Sequence, residues 1–394
     1  MLPEARFAPL LEFLHAQVPA VFPAAAVLVA WRGQTVFHAA VGWLDHSVHS
    51  LPAEVSTRFD LASLTKLFTA AAFLRLVDAG QVTLDAPVSA TLPEFSGCRV
   101  VGPGEDPLRK LATPADPRYA GQPVDLAQIT FRHLLTHTAG LAPWRSIYAV
   151  AGNPGPVPFP YTVSPALRSQ RISAVAAYDF AAPPGRHILY SDLGFILLGE
   201  AVARLYGQDL ETSLRALVFE PLGLVSVVYN PLEKGLSPQS LAPTEICAWR
   251  GRRLLGEVDD ENAAGLGGVA GHAGLFATVQ DLARLGQACR PGTPFLQPAT
   301  LAEMTRPQVE LDGLRRGLGW LLWTPTDCSC GSGFSPQSFG HTGFTGTSLW
   351  IDPQRDLLVA TLTNRVYHGR QYPTSILAFR PALHDRIIQL IDSQ

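Results

Sequence analysis

The segment FDLASLTKLF, residues 59–68, places a serine three residues before a lysine. Residues 64–77 are apolar almost all round, which predicts a buried helix that ends near Gly80. Residues three apart share a helix face, so we expect the Ser63 hydroxyl and the Lys66 amine to meet one turn apart. Burial lowers the pKa of an amine, and a neutral amine beside a hydroxyl can accept its proton. The pattern therefore predicts a nucleophilic serine; a lysine that extends to solvent is the alternative.

Lysine usage supports the first interpretation. Of the 30 basic residues only three are lysines, namely Lys66, Lys110 and Lys234. Lys110 and Lys234 lie in loop-like segments, whereas Lys66 lies in the apolar run. Arginine therefore supplies most of the surface cations, and Lys66 is the lysine for which we expect a specific role.

Two later segments carry further chemistry. Residues 184–194, PGRHILYSDLG, predict a turn, a short extended piece and the start of a helix that Asp192 can cap. Residues 339–348, FGHTGFTGTS, lead into an apolar strand and place glycines at 340, 343 and 346. Such glycines indicate backbone that another group approaches closely.

The three segments together resemble a known family. Ser63-x-x-Lys66, Tyr190-Ser191-Asp192 and His341-Thr342-Gly343 follow the order and rough spacing of the serine β-lactamase-like and penicillin-binding protein family. The chain looks most like the class C β-lactamases and their esterase and D-amino-peptidase relatives. Residues 132–141 resemble the family's helix-to-loop segment between the first two motifs, and residues 265–275 resemble the segment that returns to the catalytic core, so the resemblance spans most of the chain.

The resemblance implies a role for each matching residue. Ser63 is expected to be the acylated nucleophile, Lys66 its hydrogen-bonded base partner, and Tyr190 the group that relays the proton and activates water. The backbone N–H groups of Ser63 and Phe344 are the expected oxyanion hole. The expected substrate-binding residues are Asp192, His341, Thr342, Gly343 and His272, with a structural hydrogen bond as the alternative for His272. No cofactor and no metal are expected.

Two departures from the family pattern bear on the substrate. The second motif ends in Asp192 where asparagine is frequent, and a carboxylate there would raise the pKa of Lys66 and leave Tyr190 as the better base. The third motif begins with His341 where lysine is frequent, and histidine is largely neutral at pH 7. We therefore expect poor β-lactam hydrolysis and substrates without an obligatory carboxylate.

Three functions remain open at this point. The first is a serine hydrolase that acts through a covalent acyl-enzyme on an ester, or on a D-amino-acid or peptide-like amide. The second is a β-lactamase or DD-carboxypeptidase. The third is a catalytically silent binding or sensing module on the same fold.

The distribution of strand and helix patterns predicts an α/β (α+β) protein with a β-lactamase-like fold. Strand patterns, such as those of residues 25–31 and 35–42, occupy both chain ends, and the chain closes with a helical pattern over 381–391. Helical patterns, such as those of residues 172–180 and 193–206, occupy the middle, so both ends are expected to build one antiparallel sheet flanked by helices. We predict a discontinuous sheet domain of residues 1–80 and 270–394, a mainly helical inserted lobe of residues 81–269, and an active site between them. Residues 151–165, with five prolines, are a candidate flap over the site.

Other features exclude function classes or leave them open. His133 and His137 have the spacing of a metal pair but no third ligand is apparent, so we expect none. The polar run Asp259–Asn262 is expected to be a solvated loop, with a cleft wall or a cation site as alternatives. A net charge of −3 gives no reason to expect nucleic acid. The N-terminal residues lack a signal-peptide pattern and no stretch of about 20 apolar residues occurs. We expect a cytoplasmic protein with a small-molecule substrate and no membrane partner; its oligomeric state is not predicted.

Overall fold

A computed structural model describes residues 4–106, 108–151, 159–371 and 373–393. In chain order the described strands are β1 (Ala24–Trp31), β2 (Gln34–Gly42), β3 (Phe59–Asp60), β4 (Cys98–Val100), β5 (Gly104–Glu105), β6 (Ala112–Thr113), β7 (Pro123–Asp125), β8 (Val228–Tyr229), β9 (Ile246–Cys247), β10 (Arg252–Arg253), β11 (Leu275–Ala277), β12 (Val309–Leu311), β13 (Leu314–Arg316), β14 (Leu321–Leu322), β15 (Phe339–Thr342), β16 (Ser348–Asp352) and β17 (Leu357–Thr363). The described helices are α1 (Ala8–His15), α2 (Thr65–Asp78), α3 (Phe131–Thr136), α4 (Pro165–Ala174), α5 (Asp192–Tyr206), α6 (Leu210–Leu214), α7 (Glu220–Leu222), α8 (Glu261–Gly265), α9 (Val279–Ala288), α10 (Pro298–Thr305) and α11 (Pro373–Asp392).

The central sheet joins the two ends of the chain. Its eight strands lie in the order β12-β13-β14-β15-β16-β17-β1-β2, and every neighbouring pair is antiparallel. β1 pairs with β17 in the register Val27↔Thr361, so a strand from residues 24–31 lies beside one from residues 357–363. This confirms the predicted fold class.

Two hydrophobic cores cover the two faces of this sheet. β1 is apolar throughout because it is buried on both faces: Ala26 and Leu28 enter one core, and Val27 and Val29 enter the other. The second core is closed by α1 and α11, and the larger first core by α2, α9 and the helices from the middle of the chain. Burial of each large apolar side chain contributes about 1.5–3 kcal/mol, so the sheet is a stable base for the residues at the ends of its strands.

Some predicted element bounds were wrong. A helix was expected over 172–180, but α4 begins at Pro165 because the Ser164 side chain accepts a hydrogen bond from the Leu167 N–H and caps it. The C-terminal helix begins at Pro373 and continues through Pro381. Residues 152–158 of the candidate flap lie outside the described residues.

The division into a sheet domain and an inserted helical lobe stays a prediction. Within the described ranges, no helix combines the length and the apolar character that crossing a bilayer requires.

Candidate active site

The predicted nucleophile lies on a tight turn that its neighbours hold in place. Ser63 is the middle residue of a single 3₁₀ turn, Ala62–Leu64, which leads into α2. Ala62 adopts a left-handed φ of 46°, an unfavourable conformation for alanine. The buried Asp60 carboxylate stabilises it by accepting hydrogen bonds from the Ala62 N–H (2.8 Å) and the Asp259 N–H (2.7 Å). Burial and the nearby Asp259 charge raise the pKa of Asp60 to about 7.

Lys66 lies one turn further along and is fully buried. Its Nζ donates to Ser63 Oγ (2.9 Å), to Asp192 Oδ1 (2.7 Å) and to the backbone oxygen of His272 (3.3 Å). An ammonium has three protons, so these acceptors occupy all of them. Burial lowers the pKa of Lys66, but the charges of Asp192 and Tyr190 outweigh it and the net pKa lies above the usual value. The arrangement favours a permanently charged Lys66 over a neutral amine that acts as a base.

Asp192 is the first residue of α5, not its cap. The residue before α5, Ser191, makes no side-chain capping bond, and the Asp192 carboxylate points across the site to Lys66 instead. The expectation that Asp192 caps the helix was therefore wrong. The charge of Lys66 is a stronger partner for a carboxylate than a backbone N–H, and α2 brings that charge within reach.

Tyr190 lies between two cations and two imidazoles. Lys66 Nζ is 4.8 Å and Arg316 Cζ is 5.5 Å from the centroid of its ring. The ring centroids of His137 and His341 lie 4.5 Å and 5.9 Å away. Burial, reinforced by the charges of Arg316 and Lys66, holds the pKa of both histidines well below the usual value. The imidazoles are therefore neutral, and the positive charge around Tyr190 comes from Lys66 and Arg316.

The third segment forms the opposite wall. His341 and Thr342 end β15 at the site, and His341 Nδ1 is 2.8 Å from the Thr342 oxygen. Gly343 packs directly on the nucleophile turn: a Cβ there would lie 2.7 Å from the Leu61 oxygen and would also clash with Thr347 Oγ1. Glycine is required because the two backbones approach this closely.

The candidate oxyanion hole combines these two backbones. Phe344 follows Gly343 and lines the same cavity as Ser63. In the part of the chain that the structure describes, the Phe344 N–H finds no hydrogen-bond acceptor. An unpaired N–H beside a nucleophilic hydroxyl is what stabilisation of an oxyanion requires.

One cavity of about 550 Å³ brings the predicted site residues together. Its walls include Ser63, Tyr190, Asp192, His272, His341, Thr342, Gly343 and Phe344. Lys66 lies beneath the Ser63 end. His272 lines the cavity and is also structurally engaged, because its Nε2 lies 2.8 Å from Asp260 Oδ1 and its backbone oxygen accepts from Lys66.

Residues 259–262 do not form the expected solvated loop. Asp259, Glu261 and Asn262 are buried, and Asp260 caps α8 through the Ala263 N–H (2.7 Å). The loop is buried because Arg370 satisfies its charge: Arg370 Nη1 lies 2.8 Å from Glu261 Oε1 and Arg370 Nη2 3.8 Å from Asp259 Oδ2. The run is thus a wall of the cavity, one of the alternatives considered from sequence.

His133 and His137 are not brought together as a metal pair. His133 belongs to a capping box with Thr130, and His137 ends α3 in a left-handed conformation with φ 58°. His137 Nδ1 accepts the Ser191 N–H at 3.1 Å, which fixes the segment that carries Tyr190. The supporting role of His137 was missed from sequence.

The cavity residues that were also missed include Arg316, Arg365, Arg380 and Lys110. Lys110 was assigned to an ordinary loop, yet its Nζ lies 3.4 Å from the centroid of the Trp144 ring and 3.8 Å from Glu261 Oε2. The three arginines carry no periodic or motif signal, since an arginine on a short strand or a helix is typical of a surface. Only the low frequency of lysine could have drawn attention to Lys110.

A β-lactamase-like fold with a serine, a buried lysine and a tyrosine at one cavity defines a class of serine hydrolases. The chain belongs to the beta-lactamase family, whose model matches residues 14–378. A protein of Salmonella schwarzengrund (strain CVM19633) called a putative D-alanyl-D-alanine carboxypeptidase is 30% identical over 392 residues, which cover 90% of this chain and 81% of that protein. The chain is therefore a serine hydrolase.

Solved structures agree in fold. EstCE1, described as a hydrolase with promiscuous acyltransferase activity, is 22% identical with a TM-score of 0.69 and covers 96% of this chain and 99% of its own. The simvastatin synthase LovD of Aspergillus terreus is 20% identical with a TM-score of 0.70 and covers 99% of each chain. At this level of identity the similarity shows the fold alone.

Proposed function

We propose that this serine hydrolase forms a covalent acyl-enzyme at Ser63 from an ester or a peptide-like amide and then hydrolyses it. The observation that carries the proposal is the set of contacts around Lys66. A buried ammonium donates to Ser63 Oγ at 2.9 Å and is held in place by Asp192 at 2.7 Å. The charge stabilises an alkoxide on Ser63, and the rigid contacts point that oxygen into the cavity.

Tyr190 is the proposed general base. Lys66 has no free proton site, whereas Tyr190 lines the cavity between Lys66 and Arg316. In this scheme Tyr190 accepts the Ser63 proton and donates it to the leaving group. It later accepts a proton from the water that hydrolyses the acyl-enzyme and returns that proton to Ser63 Oγ as the acyl group leaves.

The developing negative charge on the acyl oxygen would be stabilised by the N–H groups of Ser63 and Phe344. Both residues line the cavity. Loss of one such donor costs about 10²–10³ in rate in other acyl-transfer enzymes. A side-chain substitution at Phe344 keeps its N–H, so it is expected to alter the shape of the cavity more than the rate.

A fluorophosphonate probe tests the proposal. Wild-type protein should be labelled at Ser63 and should hydrolyse p-nitrophenyl esters or D-amino-acid anilides, and Ser63→Ala should lose both properties. Ser47→Ala, on an exposed serine far along the chain from the turn, is the matched control and should keep both. Wild-type protein that is neither labelled nor active on any substrate of the panel would support the silent binding module instead.

A second candidate function follows from Arg316. This arginine is 5% exposed and lines the cavity, and within the described residues its Nε and Nη1 atoms have no hydrogen-bond partner. Burial lowers the pKa of Arg316 to about 10, which leaves it charged at neutral pH. Because a buried unpaired guanidinium is costly, a substrate carboxylate is the partner that the site offers it.

This favours an amide whose leaving group carries a free carboxylate, as in a carboxypeptidase-type reaction. The relative from Salmonella named above is called a putative D-alanyl-D-alanine carboxypeptidase, which supports the same candidate. The sequence-based expectation of a carboxylate-free substrate considered only His341 as the possible cation. The sequence-based expectation of poor β-lactam hydrolysis depended on the same residue, and nitrocefin tests it: steady hydrolysis at ordinary β-lactamase rates would contradict that expectation.

A further inference from the structure

The loop that carries the candidate oxyanion donor is held by two buried arginines. Arg380 projects from α11, and its Nη2 donates to the Gly343 oxygen at 2.8 Å and to the Thr347 oxygen at 3.0 Å. Arg365 follows β17, and its Nε donates to the Phe344 oxygen at 2.8 Å. Both guanidinium groups line the cavity.

The contact of Arg380 falls on one particular peptide group. The Gly343 oxygen and the Phe344 N–H are the two polar ends of the same planar amide. A cation on the oxygen draws electron density along the amide and makes its N–H a stronger donor, since hydrogen bonds in a chain polarise one another. The N–H that faces the cavity is thus at the far end of a charge-assisted hydrogen bond.

Among the described residues, no carboxylate pairs with the Arg380 guanidinium. In the described part of the chain neither Arg380 nor Arg365 forms an ion pair, and Arg380 Nε and Arg365 Nη1 have no hydrogen-bond partner. Burial, together with the neighbouring Arg365 charge, lowers the pKa of Arg380 to about 9, so the group still carries its charge at neutral pH. In the described part of the chain the Arg380 charge therefore faces the loop without a carboxylate partner, whereas Asp259 and Glu245 partly offset the Arg365 charge.

The loop is also fixed relative to the nucleophile. Thr345 Oγ1 donates to the backbone oxygen of Asp60 at 2.8 Å, and Thr347 Oγ1 donates to the backbone oxygen of Leu61 at 3.0 Å. The Phe344 N–H and the Ser63 turn consequently move as one unit. A preorganised dipole of this kind needs no reorganisation when charge develops.

We propose that Arg380 is a positioning residue that polarises the Gly343–Phe344 peptide and so strengthens the oxyanion hole through the backbone. This inference rests on the proposed acyl-enzyme at Ser63. Arg380 touches neither the nucleophile nor the reacting carbonyl in this scheme; it acts through the amide between them. Arg365 supports the loop on its other side without acting on the same amide.

The variant Arg380→Met tests the inference, because it removes the charge and both donors while keeping an unbranched apolar stem. The fold should survive, since Gly343 O still accepts the Gly346 N–H at 3.1 Å and Thr347 O still accepts the Gly343 N–H at 2.8 Å. Arg380→Gln, which is neutral but can still donate, is the second variant if methionine at 380 does not fold. Arg386→Met, on an exposed arginine of the same helix, is the matched control.

Two measurements separate polarisation from a merely structural role. In single-turnover acylation by a p-nitrophenyl ester, the acylation rate constant should fall about 10- to 100-fold while the substrate dissociation constant changes by less than about twofold. In infrared difference spectra of the acyl-enzyme made with ¹²C or ¹³C at the acyl carbonyl, Arg380→Met should shift the carbonyl stretch to higher frequency. Arg380→Lys, which keeps the charge, should restore most of the rate and most of the frequency.

The outcomes distinguish the two proposals. A wild-type protein that gives no acyl carbonyl on Ser63 would overturn the proposed function and this inference with it. An acyl-enzyme with the same carbonyl frequency in wild type and Arg380→Met would overturn the inference alone. A raised dissociation constant with an unchanged acylation rate would also overturn it, because Arg380 would then bind substrate directly.

Discussion

The two walls of the cavity differ in whether their buried cations are paired with carboxylates. On the wall built by α2 and α5, the single cation Lys66 donates to three acceptors and is paired with Asp192. On the wall built by β13, β15 and α11, Arg316 and Arg380 are equally buried, yet within the described residues neither has a carboxylate partner. One wall holds a cation that is paired with a carboxylate, and the other holds two arginines that, among the described residues, are not.

The pKa directions reflect this contrast. The Asp192 and Tyr190 charges keep the pKa of Lys66 above its usual value despite burial, whereas burial lowers the pKa of Arg316 to about 10 and that of Arg380 to about 9. A paired charge has a fixed position, and here the Lys66–Asp192 pair holds the hydroxyl of the proposed nucleophile Ser63. An unpaired buried charge is stabilised when negative charge arrives, either on a substrate or in the transition state.

The largest effect is expected from removing the paired cation. Lys66→Met should lower kcat/KM about 10³-fold or more, because Ser63 loses its donor and the site its charge. It should also lower the free energy of unfolding by about 3 kcal/mol, since the Asp192 carboxylate is left partly buried without a partner. Chemical denaturation and ester hydrolysis provide the two measurements.

The double variant Lys66→Met with Asp192→Asn is the control for that prediction. It removes the orphaned charge and should recover part of the lost stability without recovering activity. If single and double variants were equally unstable, Asp192 would not be the partner that makes the lysine essential to the fold.

Removing the proposed base is expected to have the next largest effect. Tyr190→Phe keeps the ring contacts with Lys66 and Arg316 but deletes the proton carrier, so deacylation should slow about 10²- to 10³-fold with an unchanged melting temperature. Stopped-flow release of p-nitrophenol measures acylation separately, and this step should slow as well because Tyr190 also accepts the Ser63 proton in the proposed scheme. Tyr206→Phe, on a more exposed tyrosine of α5, should behave as wild type. Unchanged turnover in Tyr190→Phe would mean that another group carries the proton.

A smaller, selective effect is expected on the unpaired wall. Arg316→Gln should lower kcat/KM about 10- to 100-fold for a peptide with a free terminal carboxylate, since hydrogen bonds to charged groups contribute about 1.5–3 kcal/mol. The same peptide with an amidated terminus should change by less than about twofold. Arg315→Gln is the matched control, because Arg315 pairs with Glu310 instead of lining the cavity. An equal loss of kcat/KM on both peptides would show that Arg316 acts on Tyr190 and does not bind the substrate carboxylate.

The smallest effect is expected from the neutral His341, which lies on the wall that contains β15. His341 has a folded-state pKa well below its usual value, so below about pH 6.5 only the unfolded chain takes up the proton. The free energy of unfolding should therefore fall as the pH decreases from about 6.5 to 5. Above about pH 6.5 the stabilisation that comes from the neutral His341 is fully present. His341→Gln should reduce that slope by up to about 1.4 kcal/mol per pH unit.

Urea denaturation at pH 7.5, 6 and 5 measures the slope. His15→Gln, on an exposed histidine of α1, should leave it unchanged. A His341→Gln variant with the wild-type slope would show that the imidazole is already accessible to protons in the folded state.

Local patterns were sufficient for much of the fold. The apolar run at residues 25–31 and the pattern at 35–42 predicted β1 and β2 to within one residue, and the helix predicted over 193–206 corresponds to α5. These elements follow from side-chain periodicity, which needs no information from elsewhere in the chain. The start of α4 was missed because a serine cap followed by proline outweighed the weaker apolar pattern downstream.

The same distinction applies to the candidate site. Ser63 and Lys66 are neighbours by helix geometry, so their contact could be predicted from spacing alone, and the other motif residues could be named by resemblance. Arg316 and Arg380 could not, because nothing within a few residues of either marks it as buried. Their burial follows from tertiary packing, which brings Arg380 of α11 against the loop after β15 and Arg316 of β13 beside the Tyr190 ring.

By itself, then, the order of residues predicted most of the secondary structure, the family and the candidate reacting groups, because these depend on contacts a few residues apart. The tertiary structure decided the charge state of the site: which cation found a carboxylate and which did not. Electrostatic energy depends on distance and burial in three dimensions, and segments hundreds of residues apart set both.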